Sequence, residues 1–109
     1  MARGAHLAVP SVAVFELWYG VAKSSRAEKN KKQLLSFLAT PVEVTAFDEE
    51  DARAAGVQRA ALESIGRPIG AYDLLIAGQA LRHGWTLVTA NASEFARVKG
   101  LSWEDWARA

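Results

Sequence analysis

Gly66-Arg67-Pro68-Ile69-Gly70-Ala71-Tyr72-Asp73-Leu74-Leu75-Ile76-Ala77 is the stretch on which the fold turns. Two glycines and a proline within residues 66–70 exclude regular structure there, and the apolar run that follows predicts a helix over 71–83 that Gly84 terminates. Thr86-Leu87-Val88-Thr89 then reads as a buried-type strand, with a short helix expected over 91–98 and a last edge strand over 101–103. Working backwards, Asp48 reads as an N-cap, with Asp51 three residues on, opening a helix to about residue 65. Val42-Glu43-Val44-Thr45 alternates like a strand. Residues 26–38 form a helix whose polar first half gives way to an apolar second. Leu7-Ala8-Val9 is a short strand stopped by Pro10, and Ser11 is the expected N-cap of a helix to about Lys23. That helix is apolar nearly all round, which predicts a buried core element. Helices alternating with short strands imply an α/β fold whose short, mainly parallel sheet is flanked by helices.

The 109 residues suffice for one small domain, residues 1–109, with a single core. Half the residues are hydrophobic and 23% are charged, a globular rather than a disordered composition. A formal charge of +1 neither demands nor excludes an anionic partner, so local patches must carry that argument. The absence of cysteine rules out disulfides and thiolate metal sites and suits a reducing compartment. No apolar run reaches the length of a membrane span, and the first residues lead into too short an apolar stretch for a secretory signal, so a cytoplasmic location is expected.

Two acids stand in apolar surroundings: Glu16 within Val12-Ala13-Val14-Phe15-Glu16-Leu17-Trp18-Tyr19, and Asp73. A buried carboxylate must be paired, protonated or bound to a cation, and no Lys or Arg lies within four residues of either acid. Ligands of parallel sheets gather at the carboxyl ends of strands and the helix N-termini beyond them. Asp73, in the first turn of its helix, and Asn91, two residues past Thr89, are placed to meet there, and Glu16 is the expected third member. Oxygen ligands without His or Cys suit Mg²⁺ or Mn²⁺ rather than zinc, and such an ion can activate water for attack on a phosphodiester. Each residue also has a plainer role. Asp73 suits a helix dipole, Glu16 a buried ion pair with a distant arginine, and Asn91 a turn or N-cap. His6 and His83 lack ligand spacing, the latter suiting a helix C-terminus, while the four tryptophans and Tyr19 suit core or interface. Lys23, Arg26, Lys29, Lys31 and Lys32 form either a solvated helix face or a phosphate-tracking patch.

Three strings carry a resemblance: Val9-Pro10-Ser11-Val12-Ala13-Val14-Phe15-Glu16-Leu17-Trp18-Tyr19-Gly20, the 66–77 stretch, and Leu87-Val88-Thr89-Ala90-Asn91-Ala92-Ser93-Glu94-Phe95-Ala96-Arg97-Val98. In order and spacing they resemble the PIN-domain toxins of the VapC type, and Gly100-Leu101 through Trp106 is similar to that family's ending. The resemblance implies a three-layer PIN-like fold and a Mg²⁺- or Mn²⁺-dependent endoribonuclease, the toxin of a toxin–antitoxin pair. Its implied catalytic residues are Glu16, Asp73 and Asn91, of which Asp73 and Glu16 bind metal. The implied partners are a cognate VapB-like antitoxin, an RNA substrate and a second copy in a homodimer, with no membrane. Family members begin with a central strand ending in a metal-binding aspartate that this sequence lacks. The expectation is therefore a domain truncated at its N-terminus relative to the family. Two further readings stand beside the nuclease: a weak or inactive copy that only docks an antitoxin or dimerises, and an unrelated α/β domain whose acids pair with arginines.

Overall fold

The computed structural model describes residues 7–89 and 91–105, which leaves His6, Trp106 and the family-like ending at Trp106 outside the described residues. Its elements run β1 (Leu7–Pro10), α1 (Ser11–Lys23), α2 (Ala27–Leu38), β2 (Val42–Thr45), α3 (Glu49–Ser64), α4 (Ala71–His83), β3 (Thr86–Thr89), α5 (Ala92–Phe95) and β4 (Ser102–Asp105). The chain divides into two compact units, residues 1–46 and 47–109.

In the first unit β1 pairs in parallel with β2, in the register Leu7 to Val42 through Pro10 to Thr45. The helical hairpin α1–α2 is the crossover that a parallel pair requires. Its elbow is fixed by Ser24, whose Oγ accepts from the Arg26 backbone N–H at 2.9 Å and from Asn30 Nδ2 at 2.7 Å. Among the unit's described residues Val9, Pro10 and Leu34 are buried apolar side chains. Two expectations fail here. Ser11 is the first helical residue of α1 rather than its cap, because Pro10, extended at ψ 139°, already occupies the cap position and contributes no side-chain bond. Nor is α1 a buried element: none of its residues is buried, and Phe15, Leu17 and Tyr19 are 45–59% exposed. An all-round apolar helix says only that it wants a partner, not that the partner lies in the same unit.

The second unit is built on the α3–α4 pair. Asp48 and Asp51 form the expected capping box, Asp48 Oδ1 accepting from the Asp51 N–H at 3.0 Å and Asp51 Oδ2 from the Asp48 N–H at 2.9 Å. Asp51 is nevertheless fully buried, and α4 supplies its remaining partners. Gln79 Nε2 donates to Oδ2 at 3.0 Å, Arg82 Nη1 to Oδ1 at 2.8 Å, and His83 Nε2 stands 3.4 Å from Oδ1 while its ring stacks on Trp85. Burial alone would raise the Asp51 carboxyl, but the Asp48 N–H and the Arg82 guanidinium outweigh it and hold the group below the ordinary carboxylate value. The two helices approach closely at Gly78, where a Cβ would lie 2.5 Å from Ala55 Cα. Both helices end on a left-handed glycine, Gly66 (φ 71°) and Gly84 (φ 68°), with the Arg67 and Trp85 N–H groups closing back onto Leu62 and Ala80.

β3 pairs in parallel with β4, from Thr86 with Ser102 to Thr89 with Asp105. β3 alternates between exposed and half-buried rather than being buried as its apolar centre suggests, because β4 is its one described neighbour. Among the described residues, Ala55, Leu62, Leu74, Ile76, Ala77, Ala80, Phe95, Val98 and Leu101 form the unit's buried apolar set. No helix among the described residues is long and apolar enough to cross a membrane.

Candidate metal centre

The N-terminus of α4 and the C-terminal end of β3 meet in the second unit, as the strand-end rule requires. Asp73, half-buried in the first turn of α4, accepts a hydrogen bond from Asn91 Nδ2 at 2.7 Å. Asn91 is itself positioned by its backbone N–H, which donates to Thr89 Oγ1 at 2.8 Å. Two of the three residues expected from the sequence are thus in direct contact. Glu16 is half-buried on α1 of the first unit and makes no hydrogen bond or ion pair with any described residue. The distant arginine that would make it an ordinary structural ion pair is therefore absent among the described residues.

Glu94 is the residue that sequence reasoning missed. Asn91-Ala92-Ser93-Glu94 has the spacing of a capping box, which would spend both side chains on α5 itself. Neither is spent that way: Asn91 occupies the N-cap position of α5 without a side-chain bond to it, and Glu94 reaches across to α4. Its Oε1 accepts from the Gly70 backbone N–H at 2.9 Å. Gly70 is the N-cap of α4 and Asp73 its third residue, so Glu94 fills the donor to which an acid at the position of Asp73 would ordinarily reach back. A Cβ on Gly70 would lie 3.5 Å from Glu94 Oε1 and 3.8 Å from Asp73 Oδ2, so both carboxylates crowd one glycine.

The Gly70 N–H, then a hydrogen bond with the Asp73 side chain, hold the Glu94 carboxyl below its ordinary value; burial opposes this and the nearby Arg97 assists it. Arg97 is anchored in turn by donating to the Pro68 carbonyl at 2.7 Å. Two carboxyl groups hydrogen-bond to each other only while they share a proton, and once both ionise they repel unless a cation replaces it. The carboxylates of Asp73 and Glu94 and the amide oxygen of Asn91 are hard donors, which fit Mg²⁺ or Mn²⁺ and not a soft metal. No group of three or more His, Asp or Glu suited to a metal is present among the described residues. Two carboxylates meet the need of Mg²⁺, which commonly keeps waters and substrate phosphates for its remaining positions.

Residues 1–101 match the family model of the PIN domain. The chain is 40% identical over 101 residues to a tRNA(fMet)-specific endonuclease VapC of Shigella flexneri, covering 93% of this chain and 76% of that protein. It is 39% identical over 106 residues to the ribonuclease VapC2 of Rickettsia felis, covering 97% and 78% respectively. Among solved structures it is similar to VapBC2 from Rickettsia felis bound to a promoter DNA fragment, with a TM-score of 0.84 and 37% identity over 94% of this chain and 77% of that one. DNA-bound VapBC from Salmonella typhimurium gives a TM-score of 0.83 and 38% identity over 91% and 74%. The chain thus spans about three quarters of the length of these relatives. Sequence, fold and the meeting of Asp73 with Asn91 agree, and the chain belongs to the PIN-domain family, among its VapC-type members.

Proposed function

We propose that the chain is a metal-dependent endoribonuclease, the toxin of a toxin–antitoxin pair, with Asp73, Glu94, Asn91 and Glu16 as its working residues. The observation that carries this reading is the apposition of Asp73 with Glu94 and Asn91 at a strand end, in a chain whose relatives are named ribonucleases. Asp73 and Glu94 would hold Mg²⁺ or Mn²⁺, which when bound supplies a nucleophile from water and neutralises charge on the scissile phosphate, and Glu16 enters the reading through the family resemblance alone. Asn91 adds no charge and orients Asp73 through its amide. The Gly70 N–H lowers the Glu94 carboxyl from its ordinary value and so favours the charged form that a cation needs. Arg97, close to Glu94, limits the repulsion between the acids.

A VapB-like antitoxin as partner follows from the structural relatives, which are VapBC complexes, and a homodimer is supported by the exposed apolar side chains of α1. A cytoplasmic location fits a nuclease that meets cellular RNA. The test is cleavage of a panel of transfer and ribosomal RNAs by the antitoxin-free protein in Mn²⁺. Asp73→Asn is expected to lower the rate by about 100-fold or more, and absence of cleavage across the panel refutes the activity.

A second reading, a weak or inactive copy that serves as an antitoxin-binding or dimerisation module, is favoured by one observation: no triplet of metal-binding acids is present among the described residues. It requires a stable complex with the antitoxin and no nuclease activity in Mn²⁺.

A further inference from the structure

The first unit carries a charge concentration that the candidate site does not use. Lys23, Arg26, Lys29, Lys31 and Lys32 place five cations against one acid, Glu28, within ten residues of a chain whose total formal charge is +1. All five are exposed, and among the described residues none forms an ion pair. They do not belong to a floppy segment. Lys23 ends α1 with its Nζ over the Tyr19 ring at 5.4 Å, and the doubly bonded Ser24 hydroxyl sets the angle at which α2 departs. On α2, Lys29 and Lys32 stand three residues apart on the face opposite the buried Leu34, so they project together into solvent.

This arrangement works against helix stability, because cations in the first turns of a helix oppose its dipole. Placing them there calls for an anion. The exposed face of α2 over residues 28–33 is wholly polar, whereas a polypeptide partner needs apolar anchors of the kind α1 offers in Phe15 and Tyr19. A polyanion with regularly spaced charge, bound through counterion release rather than through pockets, matches the α2 face. We propose that this basic elbow is the surface that tracks the phosphate backbone of substrate RNA and holds it to the protein independently of cleavage. The proposal rests on the ribonuclease reading and adds to it the place where RNA is gripped.

The test is binding of the antitoxin-free protein to a fluorescein-labelled transfer-RNA transcript in EDTA, followed by anisotropy across a salt series. The double variant Lys29→Gln/Lys32→Gln is compared with Arg53→Glu, which changes net charge equally from an exposed site on α3. The double variant should bind about tenfold more weakly and lose about 2 from the slope of log K against log salt, while Arg53→Glu shifts affinity less than about twofold. Unchanged thermal midpoints in both variants would attribute the loss to the surface and not to unfolding. Equal losses in the two variants overturn the proposal, as does an unaltered slope in the double variant. Loss of antitoxin binding with RNA affinity intact would also overturn it, by assigning the elbow to an acidic polypeptide. If the wild type cuts no RNA in Mn²⁺ yet binds it with the predicted loss on substitution, the elbow stands and the catalytic reading falls.

Discussion

Gly78→Ala sets two physical effects against each other. Helix propensity favours alanine over glycine by about 1 kcal/mol in a helix interior. Packing at this position says the opposite. The added Cβ would lie 2.5 Å from Ala55 Cα, 2.6 Å from its N and 2.8 Å from its Cβ, against a comfortable carbon separation of about 3.5–4.0 Å. Two of these atoms are backbone and no rotamer change moves them, so α3 and α4 must part by about 1 Å. Overpacking costs about 1–3 kcal/mol, and a clash against backbone belongs at the upper end. After the propensity gain, the net destabilisation should be about 2 kcal/mol, which for a chain of this size lowers the thermal midpoint by about 8–16 °C. Gly56 is the internal control: it too lies within a helix, α3, but a Cβ there meets nothing within 4 Å. Gly56→Ala should therefore gain about 0.5–1 kcal/mol. Urea unfolding with the slope checked for constancy reads both values. A Gly78→Ala protein as stable as wild type, or a Gly56→Ala protein that loses as much, would refute the close helix contact.

Other consequences concern the site and the ion-pair network. Mg²⁺ should raise the thermal midpoint of the wild type as its concentration passes the dissociation constant, and Glu94→Gln should shrink that rise while leaving the metal-free midpoint nearly unchanged, because an amide oxygen can still accept from Gly70. Asn91→Asp replaces a donor 2.7 Å from Asp73 Oδ2 by a like charge, so the metal-free midpoint should fall while the rise produced by Mg²⁺ grows; a fall in both would contradict the metal reading. The depressed native value of Asp51 means that its contribution is intact above its unfolded value of about 3.9 and drains away as pH falls below it. Asp51→Asn should therefore be less stable at pH 7 and show a shallower loss of midpoint between about pH 5 and 3; parallel curves would show that Asp51 is not the acid-sensitive group.

Much of the frame was legible in residues with strong local chemistry. Gly70 and Gly84 bracket α4 at the residues expected, and Asp48 with Asp51 announces the start of α3. Asp73 and Asn91 could be paired in advance because strand ends and helix starts converge in parallel α/β units. What could not be read depends on partners remote in sequence. The burial of Asp51 follows from Arg82, 31 residues away, and nothing near Asp51 signals it. Glu94 was hidden by its own spacing, since Asn-x-x-Glu satisfies a local rule that the fold then overrides. The exposure of α1 was illegible because hydrophobicity records a demand for contact without naming the surface that meets it.

The diverted cap of α5 has a dynamic consequence. A four-residue helix is too short to sustain itself, and the side chain best placed to hold its first turn donates instead to Asp73. This turn should exchange its amide hydrogens faster than the α3–α4 pair, through local opening rather than global unfolding. Each such opening withdraws Asn91 and Glu94 together from Asp73, so the candidate metal centre rests in part on a segment of low local cooperativity, and whatever bridges the two acids also fastens that segment shut.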